Sequence, residues 1–235
     1  MSVDVAFTSE MTVQLVDHMG DDERVCQAAR VSTLGAASVE THEAAGLIRY
    51  LAKNRHGSPF EHGAFTWLLQ VPTVVVWQLV RHRIASYNIE SGRYRQLEPL
   101  FYIPPRERPL VQVGKPGAYE FIDGTDGQYQ ELYRHLQHMA YAWWMGYKTL
   151  LDIGIANEVA RLGLPFHLYW SVYVTMNPRA LMNFLSLRTE QQENSRVPSF
   201  PQAEIASVAT LMEADFARIM PLTHQAWNDA GRLAP

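Results

Sequence analysis

Cysteine is almost missing from this chain: Cys26 is the only one in 235 residues, which excludes an internal disulfide and any cysteine-rich zinc site. A reducing, cytoplasmic setting fits that scarcity. Charge of one sign is missing as well. The formal net charge is −4, with 20 Lys and Arg against 24 Asp and Glu, so nothing global draws the chain to nucleic acid or to an anionic membrane. Any anion site must therefore be local. No export leader is visible, because MSVDVAFTSE carries acids where a signal peptide has basic residues, and no long apolar core follows. The longest uncharged run, GAFTWLLQVPTVVVWQLV at 63–80, is interrupted by Gln70, Pro72 and Gln78, and a strand followed by a helix explains it better than a membrane span. Internal repeats, low-complexity tracts, a Walker loop, a GxGxxG dinucleotide fingerprint and a nucleophile elbow are all lacking. A hydrophobic content of 47% allows a sizeable core, and residues 1–235 are expected to form a single domain.

What is present alternates between strand and helix. TVQLVDH (12–18) predicts a strand, and a helix opens at Asp21 or Asp22 and runs to about Val31. Val25, Cys26, Ala28 and Ala29 form its apolar stripe, so Cys26 is read as a packed core residue rather than a reactive thiol. A second helix is expected from about His42 to Asn54 with Thr41 as its cap. Phe65, Trp67, Leu69 and Val71 alternate as a half-buried strand that Pro72 ends, and TVVVWQLVRHR resumes as a helix. Asn88, Ser91 and Gly92 favour a loop, and FYIPP (101–105) ends a short strand. The 3.5-residue period of Tyr129, Leu132, Tyr133, Leu136, Met139, Trp143, Tyr147 and Leu150 predicts one long helix as the spine of the core. A short helix over ANEVARLGLP follows, then a buried strand in FHLYWSVYVTMN, and Pro178 opens a helix in the first-turn position. After the polar loop QQENSRVPSFPQ (191–202), AEIASVATLMEADFARI is expected to close the domain. There is no regular βαβ rhythm, so the fold class is α+β or irregular α/β.

The chemistry concentrates in RHRIASYNIESGRY (81–94). Planar guanidinium groups offer paired donors to a phosphate or a carbonyl–imide edge, and short hydroxyl and amide groups fill the remaining acceptors. Arg81, Arg83, Arg93, Ser91 and Gly92 together make an anion cradle; the alternative is that Arg81, His82 and Arg83 only complement a helix carboxyl end, for about 0.3–1 kcal/mol. In NPRALMNFLSLR, Arg179 and Asn183 lie one turn apart while Arg188 is nearly opposite them around the helix, so two ligands or two subunits are served better than one. The plain alternative pairs Arg179 and Arg188 with Glu190 or Glu193. His56 with His62 and His135 with His138 lack a clear third ligand, no metal site is expected, and His135 and His138 are read as exposed. An alternative of a different class is a non-catalytic RNA or nucleotide binder using Trp77, Tyr87 and Tyr94 as stacking surfaces, against which the negative net charge argues.

RHRIASYNIESGRY closely resembles the signature RHRxxSxNExSxRY of the flavin-dependent thymidylate synthases, HGSPFEHGAFTW resembles their upstream histidine-containing segment, and NPRALMNFLSLR their downstream one. The matches keep order and spacing from about Ala28 to Arg188. The resemblance implies that family's fold, with helices packed on an antiparallel sheet, and a homotetramer whose active sites are shared between subunits. It implies FAD held by Ser32, Ser58, Arg81, His82, Arg83, Asn177, Arg179 and Asn183. It implies a uracil nucleotide held by Gln78, Arg81, Ser91, Gly92, Arg93 and Arg161, chiefly at phosphate, with Arg188 as the catalytic arginine that grips the uracil edge and favours loss of the N3 proton. NADPH as reductant and 5,10-methylenetetrahydrofolate as carbon donor follow from the same resemblance, with no nucleic acid and no membrane partner. No cysteine nucleophile is needed on this route.

Two departures bear on the sugar. Ile89 stands where the motif has glutamate, with Glu90 one residue later, and QQENSRVPSFPQ resembles an insertion. In a loop Glu90 would reach the site; in a strand it would point away. The expected substrates are accordingly dUMP, UMP or both, since uridylate C5-methylases of polyoxin-type nucleoside antibiotic pathways belong to the same family.

Overall fold

A computed structural model describes residues 5–115, 118–190 and 192–235. In chain order the elements are β1 (Ala6–Thr8), β2 (Thr12–Met19), α1 (Asp22–Leu34), α2 (Ala45–Lys53), β3 (Ala64–Pro72), α3 (Thr73–Leu79), β4 (Ser86–Ile89), β5 (Leu100–Tyr102), β6 (Val111–Lys115) and β7 (Ala118–Ile122). They continue with α4 (Asp126–Asp152), α5 (Asn157–Ala160), β8 (Tyr169–Met176), α6 (Pro178–Arg188), α7 (Ala203–Ile219) and α8 (Pro221–Asp229). It is a mixed α/β chain with antiparallel strand pairs. No described helix is both long and apolar enough to cross a membrane, and the uncharged run at 63–80 is indeed strand β3 followed by helix α3. Residues 1–4 of the MSVDVAFTSE stretch and Gln191 of the polar loop lie outside the described residues.

Contacts group the chain into two compact units. One comprises residues 11–70, 75–89 and 171–235 and is built on a four-stranded sheet in the order β2-β3-β8-β4. The alternation along β3 puts Phe65, Trp67, Leu69 and Val71 wholly inside, each large side chain worth about 1.5–3 kcal/mol of burial. Trp67 donates its indole N–H to Asp215 Oδ2 on α7 at 3.0 Å, and Phe65 meets Phe216 of α7 edge to face at 6.0 Å. Helix α1 opens on Asp21, whose carboxylate accepts from the N–H groups of Glu23 and Arg24. Next to it, the buried Asp22 carboxylate accepts from the N–H of Leu222 and of Thr223, both at 2.8 Å, and from the Thr223 hydroxyl at 2.6 Å. One acid thus supplies the N-terminal cap that the short helix α8 lacks from its own sequence. Cys26 is fully buried, accepts from the Ala44 N–H at 3.3 Å, and burial pushes its thiol pKa up. It is a core residue.

The other unit comprises residues up to Glu10, 71–74 and 90–170. It contains the parallel pair β1–β5, the hairpin β6–β7 and the long helix α4, which starts on a capping box between Thr125 and Gln128. Tyr147 of α4 is buried, stacks on Trp143 at 5.1 Å, and accepts from the Leu97 N–H at 3.1 Å.

Several expectations need correction. Thr41 does not cap the second helix, because a 3₁₀ turn over Gly35–Glu40 intervenes and the Thr41 hydroxyl closes it by donating to Ser38 O. Helix α2 starts at Ala45 with no side-chain cap. The helix after Pro72 stops at Leu79, so Arg81–Arg83 stand in the turn beyond it. Asn88 lies in strand β4 opposite Tyr173 of β8, not in a loop. Helix α4 is not the spine of a core: only Ala140 and Tyr147 of it are buried, and its apolar positions Tyr133, Met139, Met145 and Leu150 are exposed. The period was right, but periodicity does not say what covers the face. Helix α7 is not the last, since α8 follows it after a single residue.

Candidate functional site

The turn that leaves α3 carries Arg81, His82 and Arg83 and brings His82 against helix α6, with Arg81 near Arg188, within the sheet-based unit. Asn177 caps α6 by accepting from the Ala180 N–H at 2.8 Å, and Pro178 occupies the first turn, where a missing N–H costs nothing. The sequence therefore sets the start of the helix, and its pitch then separates the arginines on it. Arg179 and Asn183 line a cavity of about 210 Å³ together with Arg55, Glu61, Ile84, Asn177 and the backbone end at Ala234 and Pro235. Arg179 donates through Nε to Pro235 O and through Nη1 to Glu61 Oε1, both at 2.5 Å. Its acid partner is thus Glu61, not Glu190 or Glu193. Gly57 packs against two of the residues that line it, Arg179 and Pro235. A Cβ there would stand 2.5 Å from Arg179 Cζ and 2.7 Å from Pro235 O, so only glycine lets the guanidinium lie flat against the backbone.

On the far side of α6, Arg188 is half-buried and donates its Nε–H to His82 Nε2 at 3.1 Å. Burial, and then the Arg188 charge, hold the His82 imidazole down at about pKa 4, so at neutral pH it is an uncharged acceptor. Burial and the nearby Arg81 likewise lower the Arg188 pKa, which leaves it charged. No carboxylate pairs with Arg188 among the described residues. The plain alternative for the α6 arginines therefore fails: Arg179 pairs with Glu61 and Arg188 with His82, and among the described residues neither is paired with Glu190 or Glu193. Ser32 and Ser58 are exposed, Ser58 opening a 3₁₀ turn over Ser58–Glu61, and Gln78 on α3 donates its amide to Gln202 Oε1 at 2.8 Å.

In the other unit, Ser91, Gly92, Arg93 and Arg161 form a second cluster. Gly92 is buried, and a Cβ there would meet Arg161 Cδ at 3.1 Å, so the glycine admits the arginine stem. The Arg93 N–H donates to Ser91 Oγ at 3.3 Å, while its Nε pairs with Glu158 Oε2 at 2.8 Å and its guanidinium lies over the Tyr94 ring. Glu90 sits outside any strand and pairs with Arg95 Nη1 at 3.4 Å. Ile89 is the last residue of β4, opposite Val172, with its side chain half-buried. Tyr87 is half-buried, and its hydroxyl reaches the Leu79 and His82 carbonyls. Trp77 and Tyr94 do remain exposed, at 63% and 83%. His135 and His138 are exposed as expected, and His56 stacks on Tyr50 at 5.7 Å.

Sequence reasoning found the arginines and missed their holders. Glu61, Glu158 and the backbone at Pro235 carried no signal, since each meets its arginine across 56 to 118 residues.

Comparison with known proteins matches residues 14–222 to the family described as thymidylate synthase complementing protein. Flavin-dependent thymidylate synthases of Tropheryma whipplei and Streptomyces avermitilis are each 48% identical over 237 residues, covering 99% and 98% of this chain and 98% and 96% of theirs. Among solved structures, a UMP/dUMP methylase, PolB from Streptomyces cacaoi, bound with 5-Br UMP superposes with a TM-score of 0.91 at 44% identity, covering 98% of this chain and 99% of that one. Its complex with 5-Br dUMP gives 0.92 at the same identity.

Proposed function

The chain belongs to the flavin-dependent thymidylate synthase family, and from that premise we propose that it methylates C5 of a uracil nucleotide in the cytoplasm, with methylenetetrahydrofolate as carbon donor and NADPH as reductant. Residues 1–235 act as one catalytic domain, assembled as a homotetramer whose sites are shared between copies. The observation that carries this reading is Arg188: a half-buried guanidinium, tied down through Nε and unpaired by any described carboxylate, with its terminal edge left for a ligand.

The residues fit a dinucleotide's phosphates. Arg55 and Arg179 bring positive charge to the cavity, Gly57 gives Arg179 room to lie there, and the amides of Asn177 and Asn183 line it. A space of about 210 Å³ suits the diphosphate part alone, which agrees with a site completed by other copies. Ser32, Ser58, Arg81, His82 and Arg83 are assigned to the same cofactor. When bound, FAD supplies the redox chemistry that delivers hydride. The protein's share is positioning and electrostatics. Gln78, Arg81, Ser91, Gly92, Arg93 and Arg161 hold the nucleotide, chiefly at phosphate, where the Arg93–Glu158 pair opens to accept an anion. Arg188 stabilises negative charge over O2–N3–O4 of the uracil, which makes C5 nucleophilic without attack by a thiol. Cys26, buried and with a raised pKa, is unsuited to that task.

Ribonucleotide methylation is a second reading. It is favoured by Ile89, which leaves the family's carboxylate position empty; the solved relative, described as a UMP/dUMP methylase, supports either sugar. A side-by-side assay of UMP and dUMP with FAD, NADPH and methylenetetrahydrofolate decides between them. The protein is expected to be yellow and to bleach with NADPH. Failure to take up flavin, or to methylate either nucleotide, overturns the proposal.

Gly57→Ala is expected to push Arg179 out of place and weaken FAD binding about tenfold or more, a charge-assisted hydrogen bond being worth about 1.5–3 kcal/mol. Flavin titration followed by absorbance measures it, and an unchanged affinity would remove Arg179 from the phosphate site.

A further inference from the structure

We propose that Tyr87 is a positioning residue for Arg188, acting through the turn that carries His82; this rests on the reading of Arg188 as the group that meets the uracil edge. Tyr87 occupies a position that the family motif leaves unspecified, and nothing in its spacing marks it. The geometry does. Helix α3 ends at Leu79, where the last carbonyls lack helical partners. The Tyr87 hydroxyl reaches two carbonyls of that turn, Leu79 O at 2.6 Å and His82 O at 3.0 Å, and the His82 N–H returns to Leu79 O at 3.0 Å. One phenolic hydrogen shared between two acceptors closes residues 79–82 into a fixed loop. Burial raises the phenol pKa to about 12, so the hydrogen stays on it. Strand β4 fixes the tyrosine itself by pairing it opposite Val174 of β8.

The loop sets the backbone direction of His82, and His82 meets helix α6 at two places. Its ring stands edge-on to Phe184 at 4.9 Å and an interplanar angle of 82°, and its Nε2 accepts from Arg188 Nε at 3.1 Å. Phe184 and Arg188 are four residues apart and share a helix face, so a single imidazole orientation satisfies both. A guanidinium held through Nε has its other edge, Nη1 and Nη2, free to present two parallel N–H donors. That is the edge complementary to an oxygen and a deprotonated ring nitrogen in one plane. If the loop loosens, the imidazole turns, and Arg188 keeps its charge while losing its aim.

A purely structural role would also explain two satisfied carbonyls, so the test must separate aim from folding. In the full-length flavin-loaded protein, Tyr87→Phe keeps the ring and removes the hydroxyl. It is expected to lower kcat about tenfold, as small misplacements of a reacting group do. Flavin content, melting temperature and KM for the nucleotide should stay close to wild type. At matched flavin content, His82→Gln, whose amide oxygen can accept from Arg188 Nε, is expected to retain more kcat than His82→Leu, which cannot accept. Wild-type kcat in Tyr87→Phe overturns the inference. So does a loss confined to flavin content or melting temperature, with kcat per bound flavin unchanged. An inert wild type overturns the underlying reading and the inference with it, whereas an active wild type with unaltered Tyr87→Phe turnover overturns the inference alone.

Discussion

Arg188→Ala is expected to retain FAD and to lose methylation by on the order of 10²–10³-fold, the usual cost of deleting one donor aimed at developing charge. In the role proposed for it, the guanidinium would contribute to the chemistry in two ways. It carries a charge that partial burial keeps from being fully screened, and Arg81 nearby adds to the local positive potential. Its fork also matches a planar imide. Because the cavity proposed above for the cofactor is lined from the opposite face of α6, by Arg179 and Asn183, flavin uptake should be spared. Arg188→Lys preserves charge without the fork, so turnover intermediate between wild type and alanine would apportion the two effects. Single-turnover measurements with bound flavin, comparing both variants with wild type, provide the check. Undiminished turnover in Arg188→Ala would refute the assigned role.

The second large effect concerns stability. Arg232, 4% exposed, donates to both oxygens of Glu213 at 2.7 Å and to Thr189 Oγ1 at 2.8 Å, and it lies 4.0 Å above the Trp227 ring. Thr189 caps α6 and accepts from Ser199 through its carbonyl, so the C-terminal end of the arginine-bearing helix hangs on this network. Arg232→Ala strands a mostly buried carboxylate and is expected to cost about 3–5 kcal/mol, a melting temperature lower by on the order of 10 °C. Replacing Arg232 and Glu213 together by apolar residues of similar size should restore much of the loss, since the uncompensated charge is then gone. Thermal unfolding of the single and double variants would show it; equal losses would mean packing, not charge, dominates. The same pair sets an acid limit. Burial pushes the Glu213 carboxyl up, but the bonds from His224 and Arg232 and the Arg232 charge outweigh it and hold the pKa at about 2. A folded value below the ordinary 4.5 gives stability that is fully present above about pH 4.5. That stability is lost as the pH falls towards 2.

Much of the local structure was legible from the sequence because short-range chemistry decides it. The alternation of Phe65, Trp67, Leu69 and Val71, the proline that opens α6, the cap at Asp21 and the burial of Cys26 all follow from residue type and spacing. The candidate arginines were visible for a related reason, as three segments keep family residues in order. Pairings set by the tertiary fold were not visible. His82 and Arg188 are 106 residues apart, and Arg179 and Glu61 are 118 apart. Glu213 and Arg232 look like any acid and base 19 positions apart until burial joins them. Thr41 failed as a cap because an unheralded 3₁₀ turn claimed it. Helix α4 was placed correctly and its environment was not, since an amphipathic stripe is equally suited to a core and to a partner's surface. The homotetramer proposed above would give that stripe a place to be covered.

The Asp22 contact has a consequence for biosynthesis. A carboxylate near the start of the chain finds its three donors only at residues 222 and 223, about 200 positions later. While the polypeptide is still emerging from the ribosome, that acid has nothing to bind, and helix α1 must wait with its charge in water. Docking of α8 onto α1 therefore waits until residues 222 and 223 have been made, and it closes a loop of about 200 residues, with the entropy cost that brings.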